Sequence, residues 1–223
     1  MECDSSATFG PGQGYSLSAT SASGTAYLNV GSVNGTVTNQ TIKVGNIYMS
    51  GSCALLVTGN DGYGLKAGIL AINERGVFIN NTTGGVTLDW IMPNTGAGWA
   101  NFNLGGTGTT TVLGNVIRGF NGNATNSTSQ SFNKTGTGVV ILNGAINDWG
   151  GATTITGGTV SISGKITDLI NAGALTVSNT NTGLATDTQL LLNSSWTVGG
   201  LAGTVATASS GTKNATINLN GSD

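Results

Sequence analysis

The carboxylate side chains are Glu2, Asp4, Asp61, Glu74, Asp89, Asp148, Asp168, Asp187 and Asp223, and the sequence has no histidine. Cleaving a glycosidic bond takes two carboxyl groups facing one substrate. Apart from the terminal Glu2 and Asp4, no two of these acids stand at i, i+2 on one expected strand. Asp61 lies in Asn60-Asp61-Gly62, where Asp and Gly are ordinary turn residues, and Glu74-Arg75 reads as a solvated turn pair. Serine is abundant, but a Ser-His-Asp triad needs a histidine, and no Gly-x-Ser-x-Gly elbow joins a strand to a helix. Gly105-Gly106-Thr107-Gly108 shares only its glycine with a phosphate loop, because neither a Lys-Ser/Thr pair nor a helix follows it. No residue is assigned a catalytic role, and the expectation is that the protein is not an enzyme.

Two cysteines, Cys3 and Cys53, are too few to build a structural zinc site without histidine. In an oxidising compartment they leave one intramolecular pairing, which would pin the N-terminal tail to a strand near Cys53; two free thiols are the alternative. The calcium-binding nonapeptide repeat is missing, and no metal or other cofactor is indicated. The stretch Trp99-Ala100-Asn101-Phe102 offers aromatic surface for a sugar or a neighbouring subunit, with buried corner packing as the plainer reading. Sequons occur at Asn34, Asn39, Asn123, Asn126, Asn133 and Asn214, as chance allows in a sequence so rich in Asn, Ser and Thr.

Charged residues make up only 7% of the total, against about 25% in an average soluble domain. The seven basic residues, Lys43, Lys66, Arg75, Arg118, Lys134, Lys165 and Lys213, are scattered singly, and the net charge is −2. That distribution leaves no footprint for nucleic acid. Apolar runs are too short for a membrane-spanning helix, no C-terminal stretch reads as a membrane barrel, and Met1-Glu2-Cys3-Asp4 does not begin a signal peptide. Disorder is disfavoured, since Val, Ile and Leu recur throughout while disordered sequences are poor in them.

These apolar residues fall into short alternating runs that read as strands: 25–30, 41–49, 54–57, 69–72, 77–79, 86–88, 110–117, 138–142, 152–155, 159–162, 174–177, 189–192 and 215–219. Asn and Gly corners separate them, as at Gly59-Asn60-Asp61-Gly62 and Gly157-Gly158, and these residue types tolerate the positive φ that sharp corners require. Only Pro11 and Pro93 withdraw a backbone donor. A strand, corner, strand pattern recurring at about 20 residues is the mark of stacked coils. Coils repeat about 4.8 Å apart, so like residues stack, polar side chains bond along the axis and stacked charges repel.

The segment Phe132-Asn133-Lys134-Thr135-Gly136-Thr137-Gly138-Val139-Val140-Ile141-Leu142-Asn143-Gly144-Ala145, continued by Asn147-Asp148-Trp149-Gly150-Gly151-Ala152-Thr153-Thr154-Ile155-Thr156-Gly157-Gly158-Thr159-Val160, resembles the autotransporter-associated β-strand repeat. That repeat reads roughly K-x-G-x-G-x-L-x-L-x-G-x-N-x-Y-x-G-x-T-x-I-x-x-G-x-L. Asp148 and Trp149 stand where the family more often has Thr and Tyr, and one extra residue separates Gly144 from Asn147. The resemblance implies an all-β, right-handed parallel β-helix (β-solenoid) exported by a bacterium, and it brings no catalytic residue with it.

The expectation is therefore one elongated solenoid over 1–223, with 1–24 an irregular N-terminal arm and 132–164 the clearest repeat. Its expected place is extracellular or on the bacterial cell surface. Neither end reads as a cap, which points to a structural subunit whose partners are further copies, head to tail, in a fibre or surface assembly. Surface glycans are a second class of partner. An adhesin or passenger stalk fragment is the alternative, and a carbohydrate-active β-helix enzyme the next; ice binding by Thr109-Thr110-Thr111 is disfavoured because consecutive residues alternate faces.

Overall fold

The computed structural model describes residues 7–8, 17–20, 23–72, 75–93, 101–117, 130–149, 151–163, 165–166, 173–179, 187–193, 200–203 and 214–219. Among them there are strands and turns and no helix. An eleven-stranded sheet holds β1 (Ala7–Thr8), β4 (Thr41–Lys43), β7 (Gly64–Ile72), β9 (Val86–Pro93), β11 (Thr110–Val112), β13 (Val139–Leu142), β16 (Thr159–Ile162), β19 (Thr188–Leu192) and β21 (Ala215–Leu219) in that order, with β2 (Leu17–Thr20) and β5 (Ile47–Ser50) joined beside β7. An eight-stranded sheet runs from β3 (Gly24–Val30) through β6 (Cys53–Gly59), β8 (Val77–Thr82), β10 (Phe102–Gly106), β12 (Phe132–Lys134), β15 (Thr153–Ile155) and β18 (Ala174–Val177) to β20 (Gly200–Ala202). A small third sheet pairs β14 (Ile146–Asn147) with β17 (Lys165–Ile166).

The backbone visits the sheets in alternation, and each return lays a strand parallel beside the strand of the previous visit. This is the β-solenoid expected from the spacing. Register turns the alternating sequence into interior columns. One column in the larger sheet is Ile42, Leu65, Val86, Thr110, Val140, Val160, Leu190 and Ile217. A second is Ala67, Leu88, Val112, Leu142, Ile162, Leu192 and Leu219. Facing them across the core, the smaller sheet stacks Ala26, Leu55, Phe78, Leu104, Lys134, Ile155 and Val177. Nearly all of these apolar side chains are buried in one continuous cluster. Burying a Leu, Ile or Val side chain contributes about 1.5–3 kcal/mol, so the core gains roughly that much per stacked position.

The outer face of the smaller sheet is apolar at Tyr27, Leu56 and Ile79 and becomes polar and laddered from β10 onward. Asn103, Asn133, Thr154 and Thr176 share one column, in which Asn133 Nδ2 donates to Asn103 Oδ1 at 2.8 Å. The corners between sheets are backbone against backbone. A Cβ on Gly138 would overlap the carbonyl oxygen of Gly108, one coil away, so the close approach there requires glycine.

Several particulars differ from the expectations above. The run 41–49 is split by a bend at 44–46 into β4 and β5, and 110–117 keeps only β11 and a bridge at Val116. β10 and β20, both glycine-containing, are strands that apolar alternation does not announce. Stacked interior positions lie 20 residues apart from Val140 to Val160 but 30 apart from Thr110 to Val140, the longer interval spanning 118–129. Stacking does not exclude like charges: Lys43 and Lys66 are register neighbours, relieved by Asp89 at 3.9 Å from Lys66 Nζ. Of the N-terminal 1–24, β1 and β2 pair in the larger sheet, and the other residues up to 22 lie outside those described.

Candidate functional site

Phe132 and Lys134 are two apart on β12 and so share its inward face. The consequence is a lysine in the core. Lys134 is 1% exposed, in register between Leu104 and Ile155. Its ammonium donates to the carbonyls of Thr135 at 2.8 Å, Gly136 at 2.9 Å and Gly157 at 3.1 Å. The first two acceptors belong to the corner that follows β12, and the third to the corner of the next coil. One side chain thus holds two successive corners together through three charge-assisted bonds. Carbonyl dipoles favour the charged form, yet burial outweighs them and lowers the pKa from 10.5 to about 8.

Around this corner the repeat supplies its own packing. Phe132 lies over Trp149 with ring centroids 4.7 Å apart and 25° between planes, within the offset-stacked range. Trp149 is 2% exposed, and its Nε1–H donates to Thr153 Oγ1 at 2.7 Å. Phe102 stacks on Phe132 in register and is fully buried. A second buried polar knot lies nearer the N-terminus. Asn80 donates from Nδ2 to Thr109 O at 2.8 Å and Thr110 Oγ1 at 3.1 Å. Its Oδ1 accepts from Thr82 N at 2.9 Å and from Thr82 Oγ1 at 2.8 Å, so the amide's strongest bonding directions are filled.

Among the described residues, the titratable groups named from sequence do not converge. Asp61 occupies a turn in the left-handed region at φ 56°. Asp89 meets Lys66 on the surface, and Asp187 Oδ1 accepts from the backbone N and the Nδ2 of Asn214 at 2.9 and 3.1 Å. Asp148 follows β14 at another corner and is half-buried. Glu2, Asp4, Glu74, Asp168 and Asp223 lie outside the described residues, as do Arg118, Lys213 and Trp99. Arg75 is exposed. Among the described residues, no three of His, Cys, Asp and Glu gather where a metal could be held. Cys53 is buried, with its Sγ donating to Ala19 O at 3.2 Å, and Cys3 lies outside the described residues.

Chemically, the arrangement joins coils. From sequence, Lys134 reads as part of a repeat but not as a core residue. The signal for burial is its place two residues after an inward phenylalanine.

Residues 132–162 match the passenger-associated-transport-repeat family, and they contain β12, the Lys134 corner, β13, Trp149, β15 and β16. No curated protein and no solved structure matches this sequence.

Proposed function

We propose that the protein is a structural, non-catalytic β-solenoid of the autotransporter-passenger kind, exported to the cell surface or beyond, that stacks end to end with further copies into a fibre. The observation that carries the passenger reading is that the matched repeat, 132–162, is one continuous stretch of the parallel ladder, with its Lys134 committed to joining coils. Support for stacking comes from the edge strands. Among the described residues, β20 and β21 are the last strands of the two sheets; there Leu201 is 66% and Leu219 59% exposed, and neither strand carries a charge to deter another strand.

The passenger-stalk alternative shares every feature except self-stacking, since further coils of one polypeptide would cover the same strands. A surface-glycan partner for the polar outer face and a β-helix enzyme are weaker readings, because no described residues converge on either role. Electron microscopy of the purified protein across a concentration series separates the first two. Rods that lengthen as concentration rises support the fibre; rods of one fixed length at every concentration overturn it and leave the stalk.

A further inference from the structure

Residues 32–40 connect β3 to β4, form no strand and are largely exposed, and they contain the pair Asn34-Gly35. When glycine follows asparagine, the glycine backbone nitrogen can attack the carbonyl carbon of the asparagine amide. A new C–N bond closes a five-membered ring, the bond from that carbon to Nδ2 breaks, ammonia leaves, and a succinimide remains. Water then adds to one of its two carbonyls and opens the ring, giving aspartate or isoaspartate. The sum is one amide and one water converted to one carboxylic acid and one ammonia, with no oxidant or outside catalyst.

What decides the rate is whether the backbone nitrogen can reach the amide. Two described Asn-Gly pairs allow the comparison, and exposure does not separate them, because Asn34 and Asn143 are both exposed. Their glycines differ sharply. At Gly35, φ is 68° and a Cβ would meet nothing within 4 Å; its N–H donates to the nearby Ser32 Oγ at 2.9 Å. Gly144 is buried and its backbone is pressed against the preceding coil, where a Cβ would overlap Gly114 O. Asn143 itself donates from its backbone N to Val112 O at 2.9 Å. Reaction at Asn143 therefore waits for local opening of the ladder, while reaction at Asn34 needs only loop motion. Asp61-Gly62 has the same ring chemistry available, but a carboxylate is a poorer electrophile, and the space around Gly62 is filled by Asn39, which a Cβ there would overlap.

We propose that Asn34 is a self-modification site, converting by way of a succinimide to aspartate and isoaspartate on the exposed loop between the first coils, with water as the only co-reactant. The product moves the net charge from −2 to −3 and leaves every described ladder bond in place.

The test is timed incubation of the purified full-length protein at neutral pH and physiological temperature, followed by peptide mapping for the amide-to-acid mass change and by isoaspartate-specific methyl labelling. Mapping resolves Asn121-Gly122 and Asn220-Gly221, outside the described residues, as separate peptides. In the folded protein, Asn34 should convert at least about tenfold faster than Asn143, or about 1.4 kcal/mol in barrier. In concentrated urea the two rates should converge, because only the fold distinguishes them. Asn34→Gln should remove the acidic species assigned to the 31–40 peptide. Equal rates at Asn34 and Asn143 in the folded protein, or a rate difference that survives in urea, would overturn the proposal.

Discussion

Replacing Lys134 by methionine removes the buried charge while keeping a stem of similar length, and its effect should depend on pH in a defined direction. The folded-state pKa is about 8 and the ordinary value is 10.5. Between those values the unfolded protein holds the extra proton, so wild-type stability rises with pH through that window and is flat below it. A separation of about 2.5 units at about 1.36 kcal/mol per unit bounds the gain at roughly 3.4 kcal/mol. Integrated from pH 7 to pH 10, the same two values give about 2.5 kcal/mol. Methionine has no such titration. The loss of three donated bonds to Thr135, Gly136 and Gly157 offsets the two proteins by a constant. Urea unfolding followed by far-ultraviolet circular dichroism at several pH values measures the difference. The wild type should gain about 2.5 kcal/mol on Lys134→Met between pH 7 and pH 10. A difference that stays constant, or that moves in favour of the variant, would refute the picture of an ammonium desolvated by burial in the core.

Three further substitutions probe the ladder by the same unfolding assay. Gly138→Ala places a methyl group against Gly108 O and should cost about 1–3 kcal/mol, as overpacking a rigid contact does. Asn80→Leu removes the amide that bonds Thr110 Oγ1, the Thr82 N–H and Thr82 Oγ1, while Thr109 O keeps the Val86 N–H; at about 1–3 kcal/mol for each buried group left unpaired, a loss of at least about 2 kcal/mol is expected. Lys66→Ala removes an exposed ion pair at 3.9 Å and also the neighbour that repels Lys43; stability should stay within about 0.5 kcal/mol.

How much of the fold is legible in the sequence follows from what sets each feature. Alternating Val, Ile and Leu between Gly corners reveals stacked strands because a half-buried strand imposes period two wherever it occurs, as at Val139–Leu142 and Thr159–Ile162. The second half of β10 stays hidden because Gly105 and Gly106 carry no side chain, and their place in the ladder is fixed by Ile79 and Asn80 of β8. The bend between β4 and β5 is hidden for a related reason. Asn46 Oδ1 accepts from Ile69 N at 2.9 Å, an interaction with the next coil that no local pattern announces. At Lys134 charge suggests a surface, and only its parity with Phe132 says otherwise. Trp149 fills the repeat's aromatic position, but its partners, Phe132 and Thr153, are seventeen residues before it and four after it.

Stacked, parallel, in-register coils are the basis of everything proposed for this protein, and paired cysteines test them most directly. In-register parallel neighbours lie roughly 4.8 Å apart and positions two coils apart roughly twice that, whereas a disulfide needs Cα atoms within about 7 Å. In a background with both Cys3→Ser and Cys53→Ser, Asn103→Cys with Asn133→Cys joins adjacent outward positions, and Asn103→Cys with Thr154→Cys skips one coil. Mass spectrometry after mild oxidation should find the intramolecular bridge in the first pair and not in the second. A bridge in the second pair, or in neither, would contradict the stacked-coil account.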